Sequence, residues 1–229
     1  MHRRPFIESA GTLVTLGSLV LSGILSGSGL AQADDQRGDA DEPRVQRGFE
    51  IAPVELNLRS KNRNLVGLGS YLVNGVGGCN DCHTSDAAAE FAPGGNPFFG
   101  QPKVINQAAY LGGGRNFGPL APNTPPIVSR NLTPDKTGRP VGGRTFEEFL
   151  HIMRTGEDLD HLHPPCSTTV TTNCFPRQLP FDGNLLQIMP WPLFQSMTVN
   201  DLRAIYEYLA AIPCVQGPPA PSVLHNDCT

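Results

Sequence analysis

Cys79-Asn80-Asp81-Cys82-His83 is the stretch on which the reading of this chain turns. Two thiols three residues apart stand along one edge of a helical turn, so both can bond to groups on one side of a flat ligand. C-x-x-C-H is the attachment sequence for c-type haem. In that chemistry Cys79 and Cys82 form thioethers with the two porphyrin vinyl groups, and His83, carried under the ring, ligates the iron. Two other chemistries use C-x-x-C. A thioredoxin-like redox pair sits in a βαβ pattern, and none surrounds this motif. A zinc site needs a second close pair, and the next cysteines, Cys166 and Cys174, lack that spacing.

Upstream of the motif, Leu65, Leu68, Leu72 and Val73 recur at helical spacing, which predicts a helix over residues 60–74 leading into it. Gly75, Gly77 and Gly78 end that helix and leave room for a porphyrin edge. Residues 34–58 are acidic and polar, contain Pro43 and Pro53, and show little apolar periodicity, so they read as a flexible N-terminal arm.

Residues 1–33 read as a secretory signal peptide. His2, Arg3 and Arg4 precede an apolar run from Gly11 to Leu30, and Ala31-Gln32-Ala33 offers a small-x-small cleavage site. Glu8 is untypical of such a segment. The competing reading is an uncleaved membrane anchor, which the serines, threonines and five glycines of the run disfavour. Export and covalent haem agree with each other, because both imply an oxidising compartment outside the cytoplasmic membrane, here the periplasm.

The chain carries a formal charge of −4, and loss of Arg3, Arg4 and Glu8 with the signal would take it to −5. No basic cluster suggests nucleic acid as a partner. The length after cleavage suits one domain, placed at residues 59–215, with a C-terminal tail at 216–229. With 25 glycines and 22 prolines in the chain, the domain must hold long irregular loops, and residues 91–143 read as such.

Two more helices are legible. Thr145 and Glu148 form a Thr-x-x-Glu capping box, Phe146, Phe149, Leu150 and Met153 make an apolar face, and Gly156 is a C-terminal stop. The last helix starts at Thr198, with Asp201 favouring the positive helix start, and presents Leu202, Ile205, Tyr206 and Leu209 before Pro213. A helix of that length is marginal alone, so it must dock, and the helix at 60–74 and the haem are the surfaces on offer.

The second axial ligand has several candidates. Met1 leaves with the signal. Met153 lies on an apolar helix face, and Met197 directly precedes a cap, so packing explains both. Met189 stands in the loop Gln187-Ile188-Met189-Pro190-Trp191, which can bring a thioether over the iron, and Pro190 stiffens it. His161 and His163 are rivals. A thioether ligand would favour the ferrous state and raise the reduction potential.

The ordered set of a helix, C-N-D-C-H, Asn131-Leu132-Thr133-Pro134-Asp135, the 146–156 helix, Met189-Pro190-Trp191 and a final helix resembles the single-haem class I cytochromes c. It looks most like the modules found beside, or fused within, periplasmic dehydrogenases of the alcohol dehydrogenase type. The resemblance covers about residues 60–213. It implies an all-α fold of a few helices wrapped around one covalent haem c, with His83 and Met189 as the axial pair. The chain departs from that pattern over residues 161–173, a longer and more Thr-rich segment, which keeps His161 and His163 as alternatives.

Cys166, Cys174, Cys214 and Cys228 remain. In an exported chain free thiols are the less expected state. Local pairing, Cys166 with Cys174 around a polar loop and Cys214 with Cys228 around the tail, is expected; unpaired or interdomain cysteines are the alternative.

The expected function is electron transfer without catalysis of a substrate reaction: no catalytic residue is assigned. Electrons would pass between a dehydrogenase donor and a cytochrome or oxidase acceptor, leaving by the haem edge nearest the thioethers, and a membrane would be involved only if residues 11–30 stay uncleaved. The alternative is a haem enzyme or ligand-binding haem protein with a displaceable sixth ligand. A haem subunit fixed to its dehydrogenase is a third reading.

Overall fold

Helix α2, Arg63–Tyr71, is the element on which the described helices cross, because its glycines let two of them reach its backbone. In the computed structural model, which describes residues 41–120, 126–160, 182, 184–219 and 225–229, α2 is crossed on one side by a helix over residues 41–51 (α1). A Cβ on Gly67 would lie 2.7 Å from both Val45 Cγ1 and Phe49 Cε2, and a Cβ on Gly48 would overlap the Gly67 carbonyl. Ser70 Oγ donates to the Gly48 carbonyl at 2.7 Å, which closes the crossing. The final helix crosses α2 the same way, since a Cβ on Gly69 would overlap the Ala204 carbonyl.

Residues 41–51 correct the expectation of a flexible arm over 34–58. Val45 is buried, and Phe49 packs against the core with Arg63 stacked 4.3 Å above its ring. The segment lacks apolar periodicity because backbone contact between glycines, rather than a stripe of large side chains, makes the crossing.

Asn62 caps α2, accepting from the Asn64 and Leu65 amides. Beyond Tyr71 the helix widens into a π-helical turn, Leu72–Val76, and stops at Gly77. The short helix α3, Cys79–Cys82, follows, entered through Gly78 in a left-handed conformation (φ 55°). A 3-10 turn at Pro97–Phe99 and a two-stranded antiparallel ribbon, β1 Asn116–Pro119 with β2 Pro126–Val128, lie in the region read as loops. A turn with left-handed residues, α4 Pro140–Gly143, leads to α5, Phe146–Thr155. The short α6, Trp191–Phe194, precedes α7, Val199–Leu209.

The capping signals hold. Thr145 and Glu148 bond reciprocally at the start of α5, and Gly156 ends it at φ 73°. Thr198 and Asp201 make a second capping box on α7. Tyr206 of α7 meets Phe146 and Phe149 of α5 at 5.5 and 5.7 Å between ring centroids, and its hydroxyl donates to the Arg144 carbonyl. Among the described residues helix far outweighs strand, and they belong to one compact unit. Among them no helix is long and apolar enough to cross a membrane.

The tail is tied down as well. Cys214 and Cys228 are joined as a disulfide, as expected. Asn226 Nδ2 donates to the Thr133 carbonyl at 2.8 Å, and Asn131 Nδ2 donates to the Val215 carbonyl at 2.6 Å, so the tail backs the Asn131–Asp135 loop. Cys166, Cys174, His161, His163 and the N-terminal segment 1–33 lie outside the described residues.

Candidate functional site

Cys79, Cys82, His83 and Met189 all line one cavity of about 610 Å³. Its size falls within the usual range for small-molecule and cofactor sites. Leu72 and Val73 reach it from the π-helical turn, Phe149 and Met153 from α5, and Ile205 and Leu209 from α7. The wall is therefore built by the same apolar faces that hold the helices together. Among the described residues no three His, Cys, Asp or Glu side chains gather to hold a metal ion.

The C-x-x-C-H segment is fixed from both sides. Asn80 is buried, and its Oδ1 accepts from the Leu111 amide at 2.9 Å. Arg115 donates to the Asp81 carbonyl. The thiols of Cys79 and Cys82 are free, the first half-buried and the second exposed. Burial pushes the Cys79 thiol up to about 12 and raises that of Cys82, so both stay protonated at neutral pH. A Cβ on Gly77 would come within 3.1 Å of Cys79 Sγ, so the glycine lets the first thiol lie close to the turn before it.

His83 has a defined tautomer. Its Nδ1 lies 2.8 Å from the Arg130 carbonyl, which can only accept, so Nδ1 carries the proton in the neutral ring and the lone pair is on Nε2. Burial lowers the imidazole pKa, with the Arg130 hydrogen bond opposing it, and keeps the ring neutral. The Arg130 carbonyl is itself held in place. Gly113 (φ 69°) packs against it so closely that a Cβ there would lie 2.5 Å from the Asn131 amide nitrogen, and Gly113 N–H donates to the His83 carbonyl at 2.9 Å. The Arg130 guanidinium, 14% exposed, donates to Asp158 Oδ1 at 2.5 Å and Asp160 Oδ2 at 2.7 Å. Arg144 binds Asp160 from the other side.

Met189 sits between Ile188, which has a left-handed backbone (φ 70°), and Pro190. The loop is attached to the end of α5. Leu186 N–H donates to the Gly156 carbonyl at 2.7 Å, and residues Glu157 and Leu185 form an antiparallel bridge. Trp191 Nε1 donates to the Leu186 carbonyl at 3.2 Å. Met153 and Met197 line the same cavity. Met153 is buried in the α5 face, as the sequence suggests, and Met197 packs against the core just before the α7 cap.

Sequence reasoning missed Arg130 and Gly113. Arg130 acts through its carbonyl, which leaves no side-chain signature, and only the neighbouring Asn131–Asp135 stretch drew notice. It also missed the ion pairs of Arg130 and Arg144 with Asp158 and Asp160, since nothing in their spacing marks them as neighbours. Comparisons with protein-family models, curated proteins and solved structures find no match for this chain.

Proposed function

We propose that this protein is an exported class I c-type cytochrome, carrying single electrons between a periplasmic dehydrogenase and the respiratory chain. One observation carries the reading. The two free thiols of C-x-x-C-H, a histidine whose Nε2 lone pair is left available, and the loop methionine all face a single apolar-walled cavity. That donor set suits a porphyrin held by two thioethers with nitrogen and sulfur as axial ligands.

Bound there, the haem would supply a one-electron ferric–ferrous couple. The chain does the rest. Cys79 and Cys82 would tether it from α3, and the Arg130 carbonyl would orient His83 and raise its basicity, as outer hydrogen bonds do for metal-ligating histidines. Met189 would occupy the remaining axial position. Leu72, Val73, Phe149, Ile205 and Leu209 would exclude water and so favour the less charged centre. Around the cavity mouth Val76, Ile188 and Leu193 are 63%, 43% and 71% exposed, an apolar rim on which a redox partner can settle.

Acid–acetone extraction of the exported protein tests the attachment. Haem should stay with the polypeptide, and the Cys79→Ala/Cys82→Ala variant should lose it. Haem passing into the solvent from the native protein would overturn the proposal.

A further inference from the structure

We propose that Trp191 is a positioning residue: seated on Gly156, it latches the Met189 loop shut and keeps the sixth position closed to outside ligands. The inference rests on the His83–Met189 reading and adds how that pair is kept intact.

Gly156 ends α5 in a left-handed conformation (φ 73°), and a Cβ there would overlap the indole of Trp191. The indole therefore lies directly against the Gly156 backbone, at the only kind of residue that leaves it space. Its Nε1 donates to the Leu186 carbonyl at 3.2 Å, and Leu186 N–H donates back to the Gly156 carbonyl at 2.7 Å. Gly156, Leu186 and Trp191 thus form a closed loop of contacts, and Met189 lies inside it. Arg154 of α5 donates to the Gln195 carbonyl, adding a tie beyond α6.

A latch is needed because the loop has a cost built into it. Ile188 is β-branched and adopts φ 70°, a conformation such residues avoid, so an unrestrained loop would relax away from this shape. Ile188 is also 43% exposed, so its own packing does little to hold it. Among the described residues the Met189 backbone bonds within the loop, its N–H donating to the Gln187 carbonyl and its carbonyl accepting from Trp191 N–H, both at 2.8 Å. The Met189 side chain packs against the core, and the contact of Trp191 and Leu186 with Gly156 ties its backbone loop to the end of α5.

The test uses the full haem-loaded protein with Trp191→Ala, Trp191→Phe and Gly156→Ala, and Met189→Ala as the benchmark. Three readouts apply: the near-red sulfur-to-iron band of the ferric form, carbon monoxide binding by the ferrous form, and far-UV circular dichroism. Trp191→Ala should weaken the band and speed carbon monoxide binding about tenfold, the change that about 1.4 kcal/mol of lost loop closure gives. On heating, its band should vanish while the helical signal persists, which a general loss of stability would not produce. Trp191→Phe keeps a ring on Gly156 without the Nε1 hydrogen bond and should fall between. Gly156→Ala should reproduce the Trp191→Ala spectrum from the other side of the contact, and it carries the test if Trp191→Ala does not fold. Should Met189→Ala abolish the band while all three other variants match the native protein, the latch is refuted and the ligation stands. Should Met189→Ala itself be silent, the ligation fails and the latch fails with it.

Discussion

The wall that carries His83 is cross-linked through buried polar groups, whereas the loop that carries Met189 is held by backbone bonds to the end of α5 and by apolar packing. Behind His83 stand the Arg130 carbonyl, the Gly113 backbone and guanidinium–carboxylate pairs in which Asp158 is 2% exposed. Behind Met189 stand a left-handed Ile188 and the Trp191–Gly156 contact. The difference teaches where this protein would hold the proposed haem rigidly and where it would yield. A nitrogen ligand fixed by a network gives one geometry. A sulfur ligand on a strained loop can be lost without unfolding the domain.

The largest effect should come from breaking the network on the histidine side. Arg130→Ala leaves the Asp158 carboxylate buried without its guanidinium, and loss of one partner of such a pair costs about 3–5 kcal/mol. Urea unfolding should show that loss. A change under 1 kcal/mol would mean that the network is not what stiffens this wall.

Next in size is the brace behind the Asn131–Asp135 loop. Cys214→Ser/Cys228→Ser opens a covalent loop of sequence separation 14 and should cost about 3 kcal/mol, with the tail lost from Thr133 first. Peptide mapping under non-reducing conditions should find this pair joined in the native protein. Amide exchange that stays slow at Asn226 in the variant would contradict the role given to the bond.

A smaller effect concerns α3. Burial and a shared hydrogen bond with the Asp81 carboxyl push Glu90 up to about 7 from its ordinary 4.5. Between those values the unfolded chain has released the proton that the folded chain retains, so stability falls as pH rises from about 4.5 to about 7 and levels off above. Glu90→Gln should flatten that slope in urea midpoints measured across the window. An unchanged slope would exclude Glu90 as its source.

The same contrast shows what could be read from residues alone. Helices α5 and α7 were legible because Thr145–Glu148 and Thr198–Asp201 mark their starts and apolar residues recur on one face. The Cys79–His83 motif was legible because its chemistry lives in side chains at fixed spacing. Helix α1 was not, since Gly48 meeting Gly67 leaves no hydrophobic period. Nor was the partner of His83, because any residue can offer a carbonyl and only the fold brings Arg130 to it. Met189 could be proposed from its loop and its resemblance, while its tie to Gly156 emerged only in three dimensions.

Ligation by both His83 and Met189 is the central claim, and the visible and near-infrared spectrum of Met189→Ala tests it most directly. The native ferric protein should show a weak near-red band, and its ferrous form should resist carbon monoxide. In Met189→Ala that band should disappear, the reduction potential should fall and carbon monoxide should bind readily. Met153→Ala and Met197→Ala should lower stability through lost packing, by about 2–5 kcal/mol for the buried Met153, and leave the band in place. A Met189→Ala spectrum identical to that of the native protein would contradict the claim and turn the search for the ligand to His161 and His163.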